Sequence, residues 1–474
     1  MESYGDLIAA DDVLLFVNAA ITATGQREFR SDADTQRLSL DFLHAYMLGN
    51  YRALYAGVLA LDINDHNATL IVRRLLETAH EASAEQRVAE GRLIAGRLAL
   101  LPPQRVYGLF GALRRSGVNN RRTRALLRDW LASRPDLAFD AVKYRAGLKR
   151  ALRHAHLVPG GGEIGPFLFA PFSRPRYETP ILEAWRRAHF EQGAVYELPY
   201  TVAEGFAARH GIPRAVFLER IAPRLTRLEA LRLQEAGRRA KAGAVAADLS
   251  RMPLTRLAGY VLSLPVAERV ARRAELTGAL RAAAGRVAGA HRGTWGRVTA
   301  VLDDSFSSYG SGVKRRRPLA VALACHHLLE ALAGGYRGLW TSGCQDALLA
   351  HPVGPTPLGA RILDALETAP DRLVIVSDGW DNAPPGLAGE VLRVWRTRLD
   401  PGHRTGVVHL NPVYDAEDFD VRRLSASVPT AGVRDAEDVP ALVEIAQFAA
   451  GRTGLAELTA YLDARARRLT GGGR

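Results

Sequence analysis

Around Gly296 the chain changes its grammar, and that change limits what it can fold into more than any other feature. From about Thr35 to Gly285, apolar residues recur with helical spacing and strand-like alternation is almost absent. In the stretch 69–80, Val72, Leu75, Leu76 and Ala79 form one stripe at i, i+3, i+4 and i+7, with Arg73, Arg74 and Glu77 off it. Breaks at Leu101–Gln104, Ser116–Asn120, Ser133–Asp136, Pro159–Pro166 and His210–Pro213 divide the helices. Antiparallel helix pairs stacked as an α-solenoid produce that rhythm; no fixed period is visible, so HEAT-like repeats here are degenerate. After Gly296, apolar runs at Val298–Asp303, Tyr336–Gly343, Arg372–Asp378 and Arg404–Asn411 alternate with helical stretches at Pro318–Ala333 and Leu387–Leu399. Such alternation predicts a doubly wound parallel sheet covered on both faces, with ligands at the carboxyl ends of its strands. The expected architecture is therefore α plus α/β: a helical HEAT-like domain over residues 1–290 and a parallel-sheet domain over 294–474, the latter ending in an amphipathic helix across Ala441–Leu469.

Charge follows the same division. The net charge of +13 arises before Gly296, where 43 basic residues face 29 acidic ones, against 20 and 21 from there on. A basic helical half expects a polyanion, although an arginine-rich composition also solvates helix surfaces. The segment Arg105–Arg153 is densest, with 13 Lys and Arg against Asp129, Asp136 and Asp140. In its last helix Leu148, Ala151, Leu152 and Ala155 make the core stripe, leaving Lys149, Arg150, Arg153 and His156 off it. The two cysteines, Cys325 and Cys344, have no metal-type spacing and are too few for a disulfide framework. With no uncharged apolar run of ~18 residues and no secretory-type opening, a reducing cytoplasm is the expected location.

The sequence also carries a constellation of hard oxygen donors. The first strand run ends in Asp303-Asp304-Ser305-Phe306-Ser307, a D-x-S-x-S pattern. Thr356 lies in a Gly-Pro-Thr-Pro turn, and Asp378 closes the third strand run. Asp303, Ser305, Ser307, Thr356 and Asp378 suit one divalent cation, Mg²⁺ first with Mn²⁺ or Ca²⁺ as alternatives, leaving a position for an external carboxylate or phosphate. Asp304 is expected to face away, because alternate residues of the pattern point to opposite sides. This region, from about Thr294 to Leu469, resembles a von Willebrand factor type A domain, and the five residues match its metal-ion-dependent adhesion site.

A second resemblance lies in the basic half. Asp136–Leu157 looks like the signature stretch of the TROVE module of the Ro autoantigen ribonucleoprotein family, and Arg251–Leu264 like that module's MPLT-type helix start. The resemblance implies a ring of HEAT-like helical repeats followed by a type A domain. It also implies binding of small non-coding, Y-like RNA and of single-stranded RNA ends. Residue by residue it reaches Lys143, Tyr144, Arg145, Arg150, Arg153 and His154. With Arg121 and Arg122 from the same basic segment, the expected RNA-binding set is Arg121, Arg122, Lys143, Arg145, Arg150, Arg153 and His154. His326-His327 read as packed residues of an apolar helix, and Lys314-Arg315-Arg316-Arg317 as a solvated helix start.

No phosphate-binding P-loop, zincin or nucleophile-elbow motif occurs, so the expected role is a non-catalytic RNA-binding scaffold whose type A domain recruits a partner through its metal. The alternative is a metal-dependent protein–protein adaptor for an ATPase or enzyme complex, without RNA.

Overall fold

A computed structural model of the chain describes residues 3–157, 162–239, 247–440 and 454–471. The chain forms two compact units. One unites Met1–Ala68 with Leu249–Arg468, and the other unites Thr69–Asp248 with Leu469–Arg474.

The first unit is built on five parallel strands: β1 (Arg297–Leu302), β2 (Gly335–Trp340), β3 (Arg372–Val376), β4 (Gly406–Asn411) and β7 (Thr430–Gly432). Their order is β2-β1-β3-β4-β7. Two-residue strands β5 (Tyr414–Asp415) and β6 (Asp420–Val421) pair antiparallel beside them. The first four strands fall where the apolar runs predict them. β7 was not anticipated, since three residues are too short a run to carry a periodic signal. One face of the sheet packs Val301, Leu373, Ile375 and Val407 against Leu358, Ile362, Ala388 and Leu392 from the helices Leu358–Leu366 and Leu387–Val394. The helix Arg317–Leu332 is buried along most of its length, including Leu319, Leu323, Cys325 and Leu328. The terminal helix spans Leu455–Gly471; the remainder of the expected Ala441–Leu469 helix lies outside the described residues.

The expected division at 290/294 marks the change in element type, but it does not mark the compact units. Helix α1 (Tyr4–Thr22) packs on the sheet edge. Asn18 donates from Nδ2 to Asp420 at 3.1 Å and accepts from the Gly432 N–H at 2.8 Å. A Cβ on Gly432 would stand 2.9 Å from Thr22 Cγ2, so only glycine lets β7 lie this close to α1. Helix α2 (Ala33–Asn50) adds Gln36 Nε2 to the Tyr414 carbonyl at 3.2 Å, and Ser39 and Tyr414 hydroxyls share a bond at 2.7 Å. From the other expected domain, Thr255 donates to Glu437 at 2.6 Å and accepts from the Ala436 N–H at 2.8 Å. The first 68 residues and the stretch after Leu249 thus complete the core of the α/β unit.

The second unit is helical throughout its described residues, from the helix Asp65–Glu77 to Arg227–Arg239. Helices break at Leu101, Ser116–Asn120, Ser133–Asp136 and His210–Pro213 as predicted; residues 158–161 of the expected Pro159–Pro166 break lie outside the described residues. Tyr107 and Trp130 pack edge to face at 5.1 Å, and the Tyr107 hydroxyl donates to the buried Asp140 at 2.9 Å. Arg134 closes that network with bonds of 2.7 and 3.2 Å to both Asp140 oxygens. Tyr107, Phe110 and Trp130 are core residues.

Candidate metal centre and basic surface

Sheet order positions the oxygen donors. β1 connects to β2 on one side and has β3 on the other, so the connections leaving β1 and β3 diverge and open a crevice at their carboxyl ends. Leu302 is in register with Val376, and the Asp303 N–H continues the ladder to the Val376 carbonyl at 3.0 Å. Register therefore brings Asp303, one residue beyond β1, beside Asp378, two beyond β3. Ser305 is folded back by its N–H to Asp303 Oδ1 at 2.8 Å, its hydroxyl is 3.3 Å from that of Ser307, and Ser307 hydrogen-bonds Asp378. Thr356 is held by its N–H to Asn382 Oδ1 at 2.7 Å. All five expected donors are buried.

The electrostatics follow from that burial. Asp303 is pushed well above the usual carboxylate range, first by loss of water and then by the neighbouring Asp378 charge. Burial likewise raises Asp378, against the pull of Ser307, the Trp380 N–H, Arg30 and Arg422. Two adjoining carboxylates with no ion pair among the described residues, and with hydroxyls beside them, make a donor set that fits a small hard divalent ion. Asp304 is committed elsewhere: it accepts from Thr341 Oγ1 at 2.9 Å, the Ser342 N–H at 2.8 Å and Ser342 Oγ at 2.6 Å.

A cavity of about 180 Å³ adjoins the centre, with Ser307, Asp378 and Trp380 on one side and Glu28, Phe29 and Arg30 on the other. The Trp380 ring lies between two guanidiniums, Arg30 at 3.9 Å and Arg422 at 3.8 Å. The sequence reading missed Arg30, Trp380, Asn382 and Arg422. Trp380 and Asn382 had a signal, following Asp378 directly in Ser-Asp-Gly-Trp-Asp-Asn, whereas Arg30 had none.

The run Lys314–Arg317 is not the solvated helix start expected from sequence. Lys314 is buried in an ion pair with Glu28; burial raises the Glu28 carboxyl and lowers the Lys314 ammonium. Arg316 donates to the Leu262 carbonyl and Arg317 to the Arg434 carbonyl. Only Arg315 is exposed, because the first 68 residues and the stretch after Leu249 cover the rest of the run.

In the helical unit the expected RNA-binding residues separate into two groups. Arg121, Arg150 and Arg153 are exposed. Arg153 lies over Phe169 at 5.3 Å, and Lys149 lies over the same ring at 5.2 Å. The others are engaged internally. Arg122 donates to the Arg87 carbonyl at 2.8 Å and pairs with Glu90 at 3.3 Å. Lys143 stands 3.9 Å from Glu229. Arg145 donates to the Phe167 and Leu168 carbonyls at 2.8 and 3.1 Å and lies over Trp185. His154 is buried, with Nε2 3.0 Å from the Val118 carbonyl, and burial lowers its pKa. Its ring is thus withdrawn from any surface contact with a phosphate.

The helical unit, the five-stranded parallel sheet and the donor-bearing switch point define an α plus α/β protein. No family model matches the chain, and no curated protein matches it by sequence. Among solved structures, the crystal structure of the Deinococcus radiodurans Ro (RSR) protein matches over 93% of this chain and 100% of its own, with 17% identity and a TM-score of 0.58. This chain has the fold of that protein.

Proposed function

We propose that the chain is an RNA-binding scaffold of a ribonucleoprotein. Its helical unit takes small non-coding, Y-like RNA and single-stranded RNA ends, and its α/β unit recruits a partner through a divalent cation. The observation that carries this reading is the Ro-type fold along almost the whole chain, joined to a strongly basic helical half. Exposed Arg121, Arg150 and Arg153 are the phosphate contacts, and Lys149 beside Arg153 extends them. Asp303, Ser305, Ser307, Thr356 and Asp378 would hold the cation, Mg²⁺ by donor type. When bound, it supplies an open position for a carboxylate or phosphate oxygen of the partner. The chain's own residues then select and orient that partner: Arg30 and Arg422 attract an anion toward Asp378, and Trp380 between them keeps the approach narrow. The reading is one of recruitment and not of catalysis: Asp304, the carboxylate next to Asp303, is held by three hydrogen bonds and is not placed as a base.

Purification from the native host tests the reading. A scaffold brings down RNA, seen as a raised A260/A280 ratio that falls after nuclease or high salt. Nucleic-acid-free protein that also fails to bind single-stranded or Y-like RNA at low salt would favour the adaptor alternative.

A further inference from the structure

A second donor cluster lies on the helix Arg317–Leu332, about 14 Å along its axis from the first turn. His326 and Glu330 are four residues apart and His327 and Glu330 three, so all three project from one side of the helix. One ligand atom from each lies within 4.8 Å of the others. The three side chains are prepared differently. The Nδ1 of His326 is 3.0 Å from the Tyr336 hydroxyl, and in the tautomer whose Nδ1–H donates to that oxygen Nε2 is free to offer a lone pair. His327 is 4% exposed, and neither ring nitrogen has a hydrogen bond among the described residues; Nδ1 comes only to 3.5 Å from Glu330. Glu330 accepts from Arg281, which donates to its two oxygens at 2.8 and 3.3 Å.

A packed core imidazole normally satisfies its nitrogens; here Nδ1 has only the long 3.5 Å approach to Glu330 and Nε2 is buried with no hydrogen bond among the described residues, which costs free energy. A metal ion would satisfy this arrangement. We propose that His326, His327 and Glu330 bind Zn²⁺ at a site separate from the Asp303 centre. Two imidazoles and a carboxylate suit zinc, whereas the all-oxygen set at Asp303 suits magnesium. Tyr336 and Arg281 stand behind His326 and Glu330 as the outer partners that orient metal ligands. A tetrahedral zinc site needs donors about 3.4 Å apart, from bonds near 2.05 Å. Glu330, a third exposed and at the end of a flexible side chain, supplies the closing movement. The fourth position faces a cavity of about 570 Å³ bordered by Gln345, Asp346 and Arg273, which admits water or a small ligand; the Arg273 charge there is balanced by Asp346.

The test uses the full chain without a histidine tag, carrying Asp378→Ala to disable the oxygen site, titrated with Co²⁺ and then Zn²⁺. One equivalent of Co²⁺ is expected to give the visible absorption of a four-coordinate ion, and one equivalent of Zn²⁺ to remove it. His327→Asn should abolish the absorption, and Glu330→Gln, at a partly exposed position that keeps the shape, should weaken Zn²⁺ at least tenfold. Should His327→Asn fail to fold, the Glu330→Gln affinity decides alone. No absorption at one equivalent, or absorption that survives these substitutions because other histidines supply it, overturns the site.

Discussion

Single residues decide the behaviour of the oxygen centre because they carry charge into the interior. Asp303 and Asp378 both have raised pKa values in the fold, so the metal-free protein takes up protons that the unfolded chain would release. Their contribution is thus most favourable at low pH and is lost as pH rises through the folded-state values. Replacing Asp378 by Asn removes one of the two repelling charges and should raise the melting temperature in EDTA by on the order of 2 °C at neutral pH. The same substitution should abolish the stabilisation that Mg²⁺ gives the wild type, an effect that should itself grow from pH 5 to pH 8 as protons cease to compete. Thermal melts with and without Mg²⁺ at several pH values check both points; a lower melting temperature for Asp378→Asn in EDTA would contradict the sign. Glu28 is the opposite case, a buried charge that has its partner. Glu28→Ala strands the Lys314 ammonium and should cost about 3 kcal/mol in a denaturation experiment, while Glu28→Ala with Lys314→Met should recover much of that loss.

At the level of elements, the helix Arg145–Ala155 shows how far periodicity reads. The stripe Leu148, Ala151, Leu152 and Ala155 is buried, and Arg150 and Arg153 are exposed, as the spacing requires. The family resemblance places His154 at the RNA, whereas the helix turns it inward beside the stripe, against Val118. Arg150→Ala with Arg153→Ala should therefore weaken RNA binding and flatten the plot of log K against log salt by about 1.4 for a single strand, at roughly 0.7 per lost phosphate contact. The melting temperature should stay within error. His154→Ala should do the reverse, lowering the melting temperature and leaving the salt slope unchanged. Filter-binding titrations across a salt series distinguish the two, and an unchanged slope in the double variant would move the phosphate contacts elsewhere.

For the molecule as a whole, the consequential finding is that its compact units are not its runs of like secondary structure. A fragment beginning at Thr294, where strand grammar starts, lacks α1, α2 and residues 249–293. It would expose the face of β7 that meets Thr22, and leave Lys314 without Glu28 and Arg316 without the Leu262 carbonyl. Such a fragment is expected to aggregate or to melt without a cooperative transition in circular dichroism. A chain joining 1–68 through a flexible linker to 249–471 should melt cooperatively. A well-folded 294–474 fragment would show that the first 68 residues and residues 249–293 are accessories to the α/β unit and not part of its core.

Local chemistry explains what the sequence alone determined. Strands β1 to β4 and the helices between them follow from apolar runs of the right length. The five oxygen donors were legible because each ends a strand or opens a turn, and strand register then carries Asp303 to Asp378 with little freedom. What stands near those donors could not be read in the same way. Arg30 meets Trp380, Glu28 meets Lys314, and Asn18 meets Gly432 and Asp420 across hundreds of residues. Periodicity reports which face of an element is buried, not which distant element covers it. A run of four basic residues therefore reads as solvated until tertiary packing supplies a carboxylate and two carbonyls from elsewhere in the chain.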